Sequence, residues 1–76
     1  MDLFQLQPGK EAKVVDMALL CGDIRRKLMI MGLLPGTPIR MIRKAPMGDP
    51  VQIEARGVSL AIRSSVAEMI KVQVTS

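Results

Sequence analysis

From Val51 to Ile62 the chain alternates so regularly that one strand pairing satisfies it far better than any other. Val51, Ile53 and Ala55 alternate with Gln52, Glu54 and Arg56; then Val58, Leu60 and Ile62 alternate with Ser59, Ala61 and Arg63. A two-residue turn at Arg56-Gly57 sets Ala55 against Val58, Ile53 against Leu60 and Val51 against Ile62, so each pair on that face is apolar. The other face receives Gln52 with Ala61 and Glu54 with Ser59. A slip of one residue would turn the whole apolar set over, which specifies the register. Gly57 supplies the positive φ that so tight a turn demands.

The second constraint lies upstream, in Arg25 to Ile39. Leu20, Ile24, Leu28 and Met31 are spaced four, four and three apart, which predicts a helix within Ala18–Met31 with these residues on its buried face. Asp23 is placed to help cap its start. Arg25, Arg26 and Lys27 turn mostly away and suit the negative end of the helix dipole. Gly32 falls where a left-handed C-cap is wanted, and Pro35 lies where no helix can continue. The Gly32-Leu33-Leu34-Pro35-Gly36 elbow therefore ends the helix and launches a strand.

The remaining elements are short. Leu6-Gln7-Pro8-Gly9 is a turn signal, followed by a loosely alternating strand from Lys10 to Met17. Thr37–Ala45 reads as a strand whose alternation breaks at Met41-Ile42, through a bulge or through cover on both faces. Ala45–Pro50 is a breaker-rich loop. Ser65-Val66-Ala67-Glu68 has capping-box spacing and predicts one helical or 3₁₀ turn, and Ile70–Thr75 alternates as a closing strand. The expected fold is mainly β: one domain over 1–76, a small five-stranded SH3-like barrel with one inserted α-helix across an open end and a short 3₁₀ turn before the last strand.

Composition limits the chemistry. With 49% hydrophobic residues but 1% aromatic, the core must be aliphatic and methionine-rich, and Phe4 is the single ring. Cys21 is alone and there is no histidine, so the usual nitrogen and sulfur metal sites cannot be assembled. The seven acidic residues are scattered, and no glycine-rich phosphate loop is present. The expectation is no enzyme, no catalytic residues, no cofactor and no high-affinity Fe²⁺ site in the isolated chain. The start lacks the basic and apolar regions of a leader, and the longest apolar run, Leu28 to Leu34, is too short to span a bilayer. A reducing cytoplasm is the expected setting.

The net charge of +4 favours acidic partners, nucleic acid or an anionic membrane face. A small basic nucleic-acid-binding barrel is the alternative reading, but one ring cannot supply stacking platforms, and nucleic acid is not the expected partner. The candidate partner-binding residues are Arg25, Arg26, Met29, Leu33, Leu34, Arg40, Arg43 and Met47. Leu33 and Leu34 lie beyond the C-cap and off the core-facing stripe. Either of them plugs the barrel, or they form the apolar centre of an interface rimmed by cations. Weak self-association is also allowed.

The stretch Arg26-Lys27-Leu28-Met29-Ile30-Met31-Gly32-Leu33-Leu34-Pro35-Gly36-Thr37-Pro38-Ile39 resembles the Leu-Gly-Leu-x-Pro-Gly elbow of the FeoA family, ferrous iron transport protein A. The resemblance continues through Ala45-Pro46-Met47-Gly48-Asp49-Pro50-Val51, Gly57, Leu60-Ala61-Ile62-Arg63, Ala67 and Ile70-Lys71-Val72, with upstream matches at Leu6, Gly9, Ala12 and Val14. The chain departs from the family pattern in the helix, where Met29-Ile30-Met31 is more apolar and Cys21 stands just ahead. The resemblance implies an SH3-like barrel at the inner face of the membrane, held there by the ferrous iron permease FeoB. That permease carries a cytoplasmic GTPase domain whose region FeoA-like proteins bind to modulate uptake. Transition metal ion binding is a looser family association. Similar domains occur at the C-terminus of DtxR-type iron-dependent repressors.

Overall fold

The computed structural model describes residues 1–75. Five strands, β1 (Glu11–Asp16), β2 (Pro38–Lys44), β3 (Val51–Ala55), β4 (Val58–Ile62) and β5 (Lys71–Val74), form one antiparallel sheet in the order β4-β3-β2-β1-β5. Helix α1 (Gly22–Ile30) lies between β1 and β2, and a short helix α2 (Ser64–Ala67) joins β4 to β5. Turns of 3₁₀ helix occur at Leu3–Gln5 and Pro46–Gly48.

The β3-β4 hairpin has the register its alternation demands, from Ala55 opposite Val58 to Val51 opposite Ile62. Arg56 and Gly57 both have positive φ, 55° and 80°, which makes the turn type I′. Val51, Ile53, Ala55, Leu60 and Ile62 are buried, whereas Val58, on the edge strand β4, is half-exposed. Gly57→Val forces a β-branched residue into left-handed φ. It should lower stability by about 1–3 kcal/mol. A urea midpoint equal to that of the unsubstituted chain would contradict this.

Both long-range irregularities in the sheet are bulges. The β2-β3 register shifts between Met41 and Arg43, leaving Ile42 as the extra residue. Ile39 and Met41 enter the core by ordinary alternation and Ile42 lies at the surface on the other face, while the register shift after Met41 resolves the broken alternation in favour of a bulge. The β1-β5 pairing shifts between Val14 and Asp16 in the same way, with Val15 half-exposed.

The core gathers Leu3, Leu6, Val14, Leu33, Met41, Val51, Ile53 and Ile70, all essentially inaccessible to solvent. The contribution of the first residues was not foreseen. Asp2 and Gln5 form a reciprocal capping box: the Gln5 amide donates to Asp2 Oδ1 at 3.1 Å, and the Asp2 amide donates to Gln5 Oε1 at 2.9 Å. The capped turn drops Leu3 and Leu6 into the core. Leu3 N–H donates to the Ile70 carbonyl at 2.9 Å and Val72 N–H to that of Met1 at 2.9 Å, so the N-terminal segment occupies the outer edge of β5.

Three expectations need correction. Helix α1 falls within the expected Ala18–Met31, and the segment ahead of it is a turn in which Asp16 Oδ1 accepts from the Ala18 amide at 2.7 Å; the expected Asp23 cap is the part that fails. Cys21 takes the N-cap position, and Asp23 lies inside the first turn. Of the predicted buried stripe, Leu20 and Leu28 are buried, but Ile24 and Met31 remain 37% and 48% exposed, since the helix docks through one residue per two turns. The turn before β5 is α rather than 3₁₀: Ala67 and Glu68 amides bond back four residues, to Arg63 and Ser64. Ser65 does not cap it. The Ser64 amide donates instead to Asp49 Oδ1 at 2.9 Å, a carboxylate brought from the β2-β3 loop to the helix N-terminus.

Candidate docking surface

The elbow after α1 positions everything that follows. Gly32 (φ 97°) is the left-handed residue of a complete Schellman motif. Its amide donates to the Met29 carbonyl at 3.0 Å, and the Leu33 amide to that of Leu28 at 2.9 Å. This reversal swings Leu33 inward, where none of its surface is exposed. Leu33 therefore plugs the barrel and is removed from the candidate interface. Leu34, next along, is half-buried and borders a shallow hollow with Pro35, Thr37, Pro38 and Arg56.

Thr37 holds the elbow closed. It is the one buried polar residue among those described; its Oγ1 accepts from Leu34 N–H at 3.1 Å and donates to the Gly32 carbonyl at 3.4 Å. The Gly36 amide donates to the Val14 carbonyl at 2.6 Å, and Val14 N–H to that of Thr37 at 3.0 Å, so the elbow is bonded to β1. Helix α1 is thus held by its C-terminal end more than by its flank. Thr37→Val keeps the volume but strands the Leu34 donor. A loss of about 1–3 kcal/mol is expected in chemical denaturation, and Thr37→Ser should recover most of it. A valine variant as stable as the parent would show that the hydroxyl is not the clasp.

With the helix held this way, Arg25, Arg26 and Met29 come together with Gly22 and Ile30 along one outward-facing groove. Arg25, half-buried, also lines an adjoining hollow with Asp16, Met17, Ala18, Met29 and Pro35. Ile30 is 78% exposed and Leu19, just before the helix, is 62% exposed. Among the described residues Arg25, Arg26 and Lys27 enter no ion pair. Ile30 was missing from the expected set, although its place in the apolar run Leu28-Met29-Ile30-Met31 signalled a surplus apolar side.

The other candidates lie elsewhere. Arg40 Nη2 is 3.0 Å from Glu54 Oε1 across β2-β3, so its charge is already answered. Arg43 stands opposite Gln52 toward the far end of β2, and Met47 is fully exposed in the loop beyond it. Seven residues of β2 separate that loop from the elbow, roughly 20 Å at the usual strand rise. The eight candidates therefore do not make one patch. Near that far end Lys44 Nζ sits 4.9 Å from the centroid of the half-buried Phe4 ring. Among the described residues no three His, Cys, Asp or Glu side chains are grouped to hold a metal ion, and no helix is long and apolar enough to cross a membrane.

Comparison with known proteins agrees with this architecture. Residues 1–74 match the family model of the FeoA domain. The solution structure of the FeoA protein from Chlorobium tepidum is 34% identical, with a TM-score of 0.95 over all of this chain and 71% of that one. The Stenotrophomonas maltophilia FeoA, solved in complex with zinc and described as a prokaryotic SH3 domain protein, is 30% identical over 96% of this chain and 89% of its own, with a TM-score of 0.80. The same fold recurs within the longer T. acidophilum IdeR, 27% identical with a TM-score of 0.84, where 99% of this chain covers 34% of that one. With the five-stranded SH3-like sheet, the Gly32–Gly36 elbow and these matches together, the chain belongs to the FeoA family of ferrous iron transport accessory proteins.

Proposed function

We propose that this protein is a non-enzymatic regulatory module of bacterial ferrous iron uptake that binds the cytoplasmic, GTPase-containing portion of a FeoB-like permease. The supporting observation is the outward face of α1, where exposed Met29 and Ile30 lie among Arg25 and Arg26, cations without an ion pair among the described residues. An apolar centre with a cationic rim, held on a rigid elbow, suits capture of an acidic-rimmed protein surface. Among the described residues the side chains provide no acid/base pair or nucleophile constellation, so the reading assigns the chain a docking role and leaves chemistry to the partner. Its place is then the cytoplasmic side of the membrane, through that partner.

The test is calorimetric titration of the purified chain against the permease's isolated cytoplasmic domain. Saturable binding that weakens with added salt is expected. The absence of binding at low salt, with and without guanine nucleotide, would sink the proposal. Binding of duplex DNA or RNA in its place, with a steep salt dependence, would restore the nucleic-acid reading.

A further inference from the structure

A second surface lies along the outer edge of β4. The type I′ turn makes Ala55-Val58 the closing hydrogen-bonded pair, so Leu60 and Ile62 also exchange bonds with β3. Ser59 and Ala61 alternate with them and direct their N–H and C=O groups away from β3. β4 ends the sheet, and among the described residues those groups meet no other backbone partner. This edge is therefore an unfilled template for a strand.

Beside it runs a groove of about 180 Å³ between β4-α2 and α1, lined by Ile24, Leu28, Met31, Ala61, Ile62 and Val66. Lys27 and Arg63 stand on its rim, and neither forms an ion pair among the described residues. Among the described residues no carboxylate lines it. We infer that the β4 edge binds an extended segment of a partner protein by strand addition. Its backbone bonds Ser59 and Ala61, an aliphatic side chain fills the groove, and flanking carboxylates meet Lys27 and Arg63. A second copy is a poor occupant. Antiparallel self-pairing centred on Leu60 would set Arg63 of each copy beside the Arg56-Gly57 tip of the other, like charge against like charge twice over.

This surface is separate from the outward face of α1, and its test needs no permease. The probe is a blocked octapeptide of alternating valine and threonine flanked by glutamates. The controls are the same peptide with lysines for the glutamates, and the glutamate peptide N-methylated at alternate residues. Amide hydrogen exchange of the intact chain is followed by NMR. The glutamate peptide should slow exchange at Ser59 and Ala61, and N-methylation should abolish that slowing. The lysine peptide should bind about tenfold more weakly, and the Lys27→Glu, Arg63→Glu double variant should reverse the preference. No slowing by any peptide at millimolar concentration overturns the site, and equal affinity for the two charge forms overturns its assigned chemistry. Concentration-dependent protection of Ser59 and Ala61 in the chain alone overturns it in favour of self-association.

Discussion

Leu33→Ala is expected to remove about 2–5 kcal/mol of folding stability. The side chain has no exposed surface, and the Schellman turn that carries it leaves the backbone little room to collapse into the cavity. A domain of this size holds about 4–11 kcal/mol in total, at the usual stability per residue. The variant should therefore be partly unfolded at room temperature, or melt well below the parent. Leu34→Ala makes a sharp control. Leu34 is half-buried at the surface of the same elbow, so its truncation should cost about half the burial energy of a leucine, roughly 1 kcal/mol. Urea denaturation with an unchanged m-value would attribute both losses to stability alone. Equal midpoints for the two variants would mean that the elbow does not direct Leu33 inward.

The contrast between these neighbours shows where sequence reasoning reaches its limit. Strand pairing was legible because period-two alternation carries the register, and the β3-β4 hairpin follows it pair by pair. The break at Met41-Ile42 was legible as the point at which alternation fails, but only the strand register decides between a bulge and cover on both faces. The C-cap at Gly32 was legible from chemistry that only glycine satisfies without strain. Which way the next two leucines point was not. That depends on the trajectory of a turn whose closure relies on Thr37, twenty-three residues away from its partner strand at Val14. The N-terminal plug was missed for a different reason. The Asp2-x-x-Gln5 spacing was present, but a single 3₁₀ turn leaves no periodicity to read.

The docking surface was legible only in part, because charge and exposure are properties of neighbours. Arg25, Arg26 and Met29 share one helix, so their grouping follows from a period of 3.6. Arg40 looked equally free in sequence. Its neutralisation by Glu54 requires the β2-β3 pairing, which brings together residues fourteen apart. The bulge then separates Arg43 from that pair, and the length of β2 carries Met47 away from α1.

The second large effect concerns binding without folding. Ile30→Gln should leave stability within about 0.5 kcal/mol, since the side chain is mostly exposed and glutamine is at least as good a helix former as isoleucine. Affinity for the permease's cytoplasmic domain should fall by about 2 kcal/mol or more, roughly thirtyfold, if Ile30 is the apolar centre of the interface. The loss should appear mainly as faster dissociation, as expected for a contact desolvated only in the complex. Arg26→Gln, one turn back on the same face, should behave differently. A rim charge steers encounter, so its removal should slow association and flatten the salt dependence while changing dissociation little. Folding is controlled in both cases by the thermal midpoint, which neither substitution should move appreciably. If both variants bind as the parent does, α1 is not the docking face. The β4 edge, with Lys27 and Arg63 on its rim, then becomes the surface on which the permease must be sought.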